Sequence, residues 1–200
     1  MASSPSTAPR RLLNPVTGDR LEFLSSPLHG DPGPLVFRCT LAAHAKGSPL
    51  HFHRTIAETF TVERGLLAME IGGPRRTQTL GAGDHVAFAP GEAHSFRNPL
   101  GEPTVFVSTA TPGDAFEKFL RTMAGLAADG RTDADGMPTD PRALALALHY
   151  ADLVLPFAPQ GLQGVLVGGL ARLGRLMGVE RAFDRYWTQA QDVGALAEAA

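Results

Sequence analysis

Gly47-Ser48-Pro49-Leu50-His51-Phe52-His53, followed by Glu58 and Gly65, and then Gly83-Asp84, Gly91-Glu92-Ala93-His94 and Asn98, form the stretch whose reading decides the fold. His51 and His53 stand two residues apart, so on an extended segment both side chains leave the same face. Glu58 opens the next alternating run, and Phe60 and Val62 share its side. His94 follows the Pro90-Gly91 turn on the way into a further strand. Three imidazoles and one carboxylate converging inside a barrel would suit a divalent first-row transition metal: Fe, Mn, Co, Ni, Cu or Zn. Glu58 is also the candidate catalytic base, beside or upon such an ion. A pair of histidines at this spacing occurs by chance. The specificity lies in four ligand-type residues and several glycines at set intervals.

The neighbouring sequence supports a β domain. Arg20–Leu24 and Leu35–Leu41 alternate or carry β-branched and aromatic residues, with turn chemistry at Asn14–Asp19 and Pro27–Pro34. Further strands are predicted over Glu58–Glu63, Leu66–Ile71, Thr77–Leu80, His85–Ala89 and Thr104–Ser108, with a hairpin turn at Gly72-Gly73-Pro74. Short strands between Gly/Pro turns indicate a sandwich or barrel. Residues 1–11 are small, polar and proline-bearing, read as a disordered lead-in without a secretory signal, which favours the cytoplasm. The barrel is assigned to residues 12–111.

Beyond Thr111 the period changes. Thr111 with Asp114, and Pro112 at the first helical position, predict a helix start, and Phe116, Phe119, Leu120, Met123 and Leu126 then recur on one face. A second helix is expected from Asp140-Pro141 to about Leu155, a third from Gln160 to Met177, and a last piece over Arg181–Gln191. Residues 112–200 thus read as a helical extension packing on the barrel or on a partner subunit. His149, Asp152, Arg172, Arg175, Pro156 and Pro159 interrupt its apolar stretch, which argues against a membrane span.

Composition removes other classes. A net charge of −2 gives no basic patch for nucleic acid. The single cysteine, Cys39, forms no internal disulfide or thiolate cluster and reads as a small buried residue. Gly72-Gly73-Pro74 lacks the helix start and Lys-Ser/Thr of a phosphate loop. Asp114, Asp140 and Asp184 are scattered and offer no carboxylate pair. His29 and His44 sit in loops without a motif; His85, Phe96 and Arg97 are candidate pocket or packing residues; Glu92 reads as exposed.

The histidine stretch resembles the cupin superfamily. His51-Phe52-His53, four residues, Glu58, six residues and Gly65 match the first cupin motif, although Gly47 stands closer to His51 than is usual. Gly83, Gly91, His94 and Asn98 match the second, with Ala89 in the place of a proline and Pro90 beside it. Asn14–Asp19, Gly125–Thr132 and Gly136–Pro138 are similar to the flanks of small single-domain bacterial cupins. The resemblance implies a mainly β fold, a jelly-roll double-stranded β-helix, followed by a helical extension and often forming a homodimer. It also implies one metal held by His51, His53, Glu58 and His94 and a small-molecule ligand or substrate. The expected activity is that of a metal-dependent dioxygenase or an isomerase/cyclase; the alternative is a non-catalytic binding or sensor cupin with a structural metal. Phe60, Val62 and Phe88 favour an aromatic or polyketide-like molecule over a free sugar.

Overall fold

The computed structural model describes residues 10–73 and 76–188. In chain order the β elements are β1 (Arg11–Leu13), β2 (Arg20–Ser25), β3 (Leu35–Leu41), β4 (Ser48–His53), β5 (Ala57–Arg64), β6 (Leu67–Ile71), β7 (Thr77–Leu80), β8 (His85–Phe88), β9 (His94–Arg97) and β10 (Thr104–Thr111). Then come α1 (Asp114–Ala128), α2 (Pro141–Tyr150), β11 (Leu153–Val154), α3 (Gln160–Leu176) and α4 (Asp184–Thr188). Two antiparallel sheets result, ordered β1-β2-β3-β10-β5-β8 and β11-β4-β9-β6-β7. The protein is mainly β, a jelly-roll barrel followed by helices.

Alternation drives the sheets together. In β3 every second residue, from Leu35 to Leu41, is buried, and in β5 Glu58, Phe60 and Val62 point inward. These meet Leu67, Met69, Leu80 and Phe106 in one core between the sheets. Each fully buried side chain of this size stabilises the fold by roughly 1.5–3 kcal/mol. A second core, with Leu126, Leu146, Phe183 and Trp187, holds the helices to one another.

Several boundaries differ from those read in the sequence. Arg11 lies in β1, not in a lead-in, because it pairs with Glu22 while Leu12 is buried. Thr111 ends β10, and α1 starts at Asp114 with Gly113 as a cap lacking a side-chain bond. The second helix stops at Tyr150. Asp152 takes a left-handed conformation (φ 49°), and its carboxylate accepts from Arg54 and Thr55. Leu153 and Val154 then pair with His53 and Phe52. The last helical piece is described only as far as Thr188; residues 189–191, residues 1–9 and Pro74 lie outside the described residues. No helix among the described residues is long and apolar enough to cross a membrane.

α3 packs on α2, where Ala171 and Gly174 are buried and a Cβ at Gly174 would stand 3.0 Å from Leu146. Its other face is apolar and uncovered, with Val165 73% and Leu176 78% exposed.

Asn98 ties the loop before β4 to the end of β9. Its side-chain amide donates to the carbonyls of Ala42 and Glu102, both at 2.8 Å, and its oxygen accepts from the Leu100 N–H and the Thr104 hydroxyl, both at 2.9 Å. The Asn98 and Thr104 side chains are buried, so an unpaired group there costs about 1–3 kcal/mol. Asn98→Asp, which sets an acceptor against two carbonyls, is expected to lower the unfolding free energy by about 3 kcal/mol. Urea denaturation checks this; an unchanged midpoint would show that the amide network is not holding the loop.

Candidate metal centre

The two sheets contribute opposite halves of one polar cluster. His51 and His94 are direct cross-strand neighbours in the β4–β9 pair, and His53 follows on the same face of β4. Glu58 reaches across from β5 in the other sheet. One donor atom from each of the four lies within 4.8 Å of the others, and all four residues are buried. The structure therefore brings together all four residues singled out in the sequence.

Each imidazole is oriented by a backbone carbonyl. Nδ1 of His51 lies 2.8 Å from the Pro49 oxygen, Nδ1 of His94 3.0 Å from that of Glu92, and Nδ1 of His53 2.6 Å from that of Ala151. A carbonyl only accepts, so each Nδ1 carries the hydrogen and each Nε2 is turned to the shared centre. Rings pack around them: Phe88 stacks on His94 at 4.2 Å between centroids, and Phe116 meets His53 edge-on at 5.4 Å.

Nε2 of His53 and of His94 each lie 3.0 Å from Oε2 of Glu58, while Nε2 of His51 lies 3.2 Å from that of His53. Burial alone would raise the Glu58 pKa, but the hydrogen bonds and charges of His53 and His94 outweigh it and hold the carboxyl at about 2. Burial likewise opposes a charged His53, yet Glu58 and the Ala151 carbonyl raise its pKa. For His51, burial and the neighbouring histidines push the pKa down to about 4. One carboxylate and one proton-avid imidazole thus share the space with a neutral imidazole.

This donor set fits a metal ion. Three inward Nε2 atoms and a carboxylate oxygen are the N/O donors that first-row divalent ions take. Two donors at about 2.1 Å from one ion stand no more than about 4.2 Å apart, so the widest pair allowed here need close by only about 0.6 Å.

The cluster opens on a cavity of about 440 Å³, whose wall includes His51, His53 and Glu58. Phe60 and Phe96 line it; Phe88 and Val62 are buried packing residues instead. His85 and Arg97 are exposed, and neither lines the cavity. Cys39 does line it, with its thiol pushed well up by burial. His44 is exposed, while His29 sits by Ser26, 2.6 Å from its hydroxyl. Two features were not found from sequence. One is the Ala151 carbonyl, since backbone atoms carry no sequence signal. The other is the wall built by α1 and α2 through Phe116, Phe119, Met123 and Leu148. Its signal, the apolar helical face, was visible but read only as packing.

Both departures from the motif have a local cause. Gly47 (φ 64°) presses on β9, where a Cβ would stand 2.0 Å from the Phe96 oxygen, so the shortened loop is closed by contact. At Ala89 the backbone N–H donates to Oε2 of Glu92 at 2.7 Å, a bond proline cannot make. Glu92 is exposed, yet it closes the turn and holds His94 with its carbonyl.

Residues 37–110 match the cupin domain family. No curated protein matches the sequence. Among solved structures, the chain is similar to a sugar phosphate isomerase from a cupin superfamily, of Silicibacter pomeroyi, at 24% identity over 54% of this chain and 69% of that one, TM-score 0.43. The polyketide cyclase RemF of Streptomyces resistomycificus shows 19% identity over 52% and 68%, TM-score 0.42. An uncharacterized conserved protein with a double-stranded beta-helix domain from Klebsiella pneumoniae shows 29% over 40% and 68%, TM-score 0.37. The matched residues 37–110 run from β3 to β10, so the part of the chain that resembles the cupin domain family is the part that builds most of the two-sheet barrel.

Proposed function

We propose that the protein is a metal-dependent cupin that takes a small organic molecule into the barrel cavity and reacts it beside the histidine cluster. The observation that carries this reading is the double placement of His51, His53 and Glu58. The same side chains that converge as donors also form part of the cavity wall. In this reading His51, His53, His94 and Glu58 hold one divalent first-row ion. When bound, that ion supplies Lewis-acid polarisation of a ligand oxygen, or a meeting place for the ligand and O₂.

The protein's own contribution is orientation and proton handling. The apolar wall excludes water and aligns the ligand. Glu58 stands in the cavity wall beside the cluster and is the carboxylate placed to accept the proton that a polarised substrate gives up, as dioxygenase or isomerase/cyclase chemistry requires. Untagged protein is expected to carry about one first-row metal per chain. Glu58→Gln is expected to lower turnover of flavonols, catechols or diketones about 100-fold with the barrel still folded. Metal analysis and single-turnover assays read this. Protein that neither carries nor takes up metal would sink the reading, whereas ligand binding without turnover under every metal would assign the cavity to storage or sensing.

The uncovered face of α3 supports a homodimer as part of the same proposal. Leu162, Leu166, Gly169, Leu173 and Leu176 follow one another by four and three residues, the seam of paired helices, and all are exposed. Leu166→Lys combined with Leu173→Lys is expected to yield a monomer by analytical ultracentrifugation. A monomeric wild type, or an unchanged dimer in the double variant, contradicts it.

A further inference from the structure

The three carbonyls behind the imidazoles are not equivalent. Those of Pro49 and Glu92 stand two residues before His51 and His94, so the local strand and turn carry each with its own histidine. The carbonyl behind His53 belongs to Ala151, 98 residues along the chain, and at 2.6 Å it is the nearest of the three. Its place depends on where and how α2 ends.

Ala151 is the C-terminal cap of α2 and is fully buried. Its N–H stays with the helix, donating to the carbonyls of Ala147 and His149, while its own carbonyl meets Nδ1 of His53. The last carbonyls of a helix have no partner within it and carry the negative end of its dipole. An acceptor of this kind holds the hydrogen on Nδ1 and makes Nε2 the more basic ligand atom.

The residue that stops the helix is Asp152. At φ 49° it occupies the left-handed region that glycine usually takes and that aspartate and asparagine tolerate best among residues with side chains. What Asp152 has and glycine lacks is a carboxylate, and both oxygens are used. One accepts from Arg54 at 3.2 Å, the other from the Thr55 hydroxyl at 2.9 Å. The Asp152 carbonyl also accepts from the Arg54 N–H at 3.4 Å. Arg54 and Thr55 directly follow His53. Leu153 and Val154 then pair with His53 and Phe52. Residues 151–154 thus grip residues 52–55 one after another. The Arg54 side chain is 49% exposed, so its ion pair adds little to global stability. What the clasp fixes is direction.

Resting on the reading of the four-residue cluster as a metal centre, we propose that Asp152 is a positioning residue of that centre. It turns the chain left-handed at the end of α2, clasps Arg54 and Thr55, and so aims the Ala151 carbonyl at Nδ1 of His53, leaving Nε2 as the ligand atom. The helical extension thereby sets the metal affinity of a barrel histidine without supplying a ligand of its own.

The test uses the full chain, metal-free and labelled with ¹⁵N-histidine, at neutral pH, with the ring resonances assigned through His51→Ala, His53→Ala and His94→Ala. His53 is expected to show a slowly exchanging Nδ1–H resonance. Asp152→Ala should abolish it, leave those of His51 and His94 in place, and weaken Zn²⁺ binding about tenfold or more in competition with a chromophoric chelator. Asp152→Gly takes the left-handed turn without strain but has no clasp, and should behave as Asp152→Ala does. Asp152→Asn keeps both the turn and an acceptor oxygen, and should retain the resonance and hold the Zn²⁺ affinity within about threefold. Asp140→Ala removes the side-chain cap at the other end of α2. It should lower the thermal midpoint and leave the His53 resonance and Zn²⁺ affinity unchanged. An intact resonance and affinity in Asp152→Ala or Asp152→Gly would overturn the inference. So would equal damage from Asp152→Asn, which would point to charge, or from Asp140→Ala, which would point to general loosening of the helix. A wild type that shows the resonance, loses it in Asp152→Ala and takes up no Zn²⁺ sinks the metal reading and leaves the orientation of His53 by Asp152 standing.

Discussion

Three hydrogen bonds from imidazole Nδ1 atoms to backbone carbonyls are the constraint on which the rest depends. Without them a buried histidine is free to present either nitrogen. With Pro49, Glu92 and Ala151 each taking one Nδ1 hydrogen, His51, His94 and His53 all offer Nε2 to the same point. The three carbonyls come from different places: a strand, a turn, and the chain just after α2. The cluster is therefore not a property of the barrel alone. Residue 151 lies far along the chain from His53, and β11 fixes it by pairing with β4.

That connection changes the role of the helical extension. It contributes the carbonyl behind His53, the Phe116 ring against that imidazole, and one wall of the cavity. Cavity lining and donor orientation share the same elements, so a displacement of α1 or of the 151–155 segment would also reach His53. The barrel side is held as firmly, by the Asn98 amide network and by the turn in which Gly91 N–H donates to the His53 carbonyl at 2.8 Å.

The strands and the four-residue cluster were legible in the sequence because period-two alternation and glycine-bounded turns act locally. Glu58, Phe60 and Val62 had to share a face once that segment was extended. The helical starts were less legible: Thr111 looked like a cap but remained in β10 through its pairing with Ala57. β11 was hidden because two residues are too few to show a period, and α2 ends through a left-handed Asp152 rather than a glycine. The apolar faces of α1 and α2 were visible, but not that they face a cavity, since packing and lining use the same residues.

Anomalous diffraction from crystals of untagged protein, soaked in turn with Mn²⁺, Fe²⁺, Ni²⁺ and Zn²⁺, tests the central claim most directly. The expected result is a single strong peak about 2.0–2.2 Å from Nε2 of His51, His53 and His94 and from a carboxylate oxygen of Glu58, with the Nδ1 bonds to Pro49, Glu92 and Ala151 retained. No peak with any of the four ions, or a peak coordinated by other residues, would contradict it.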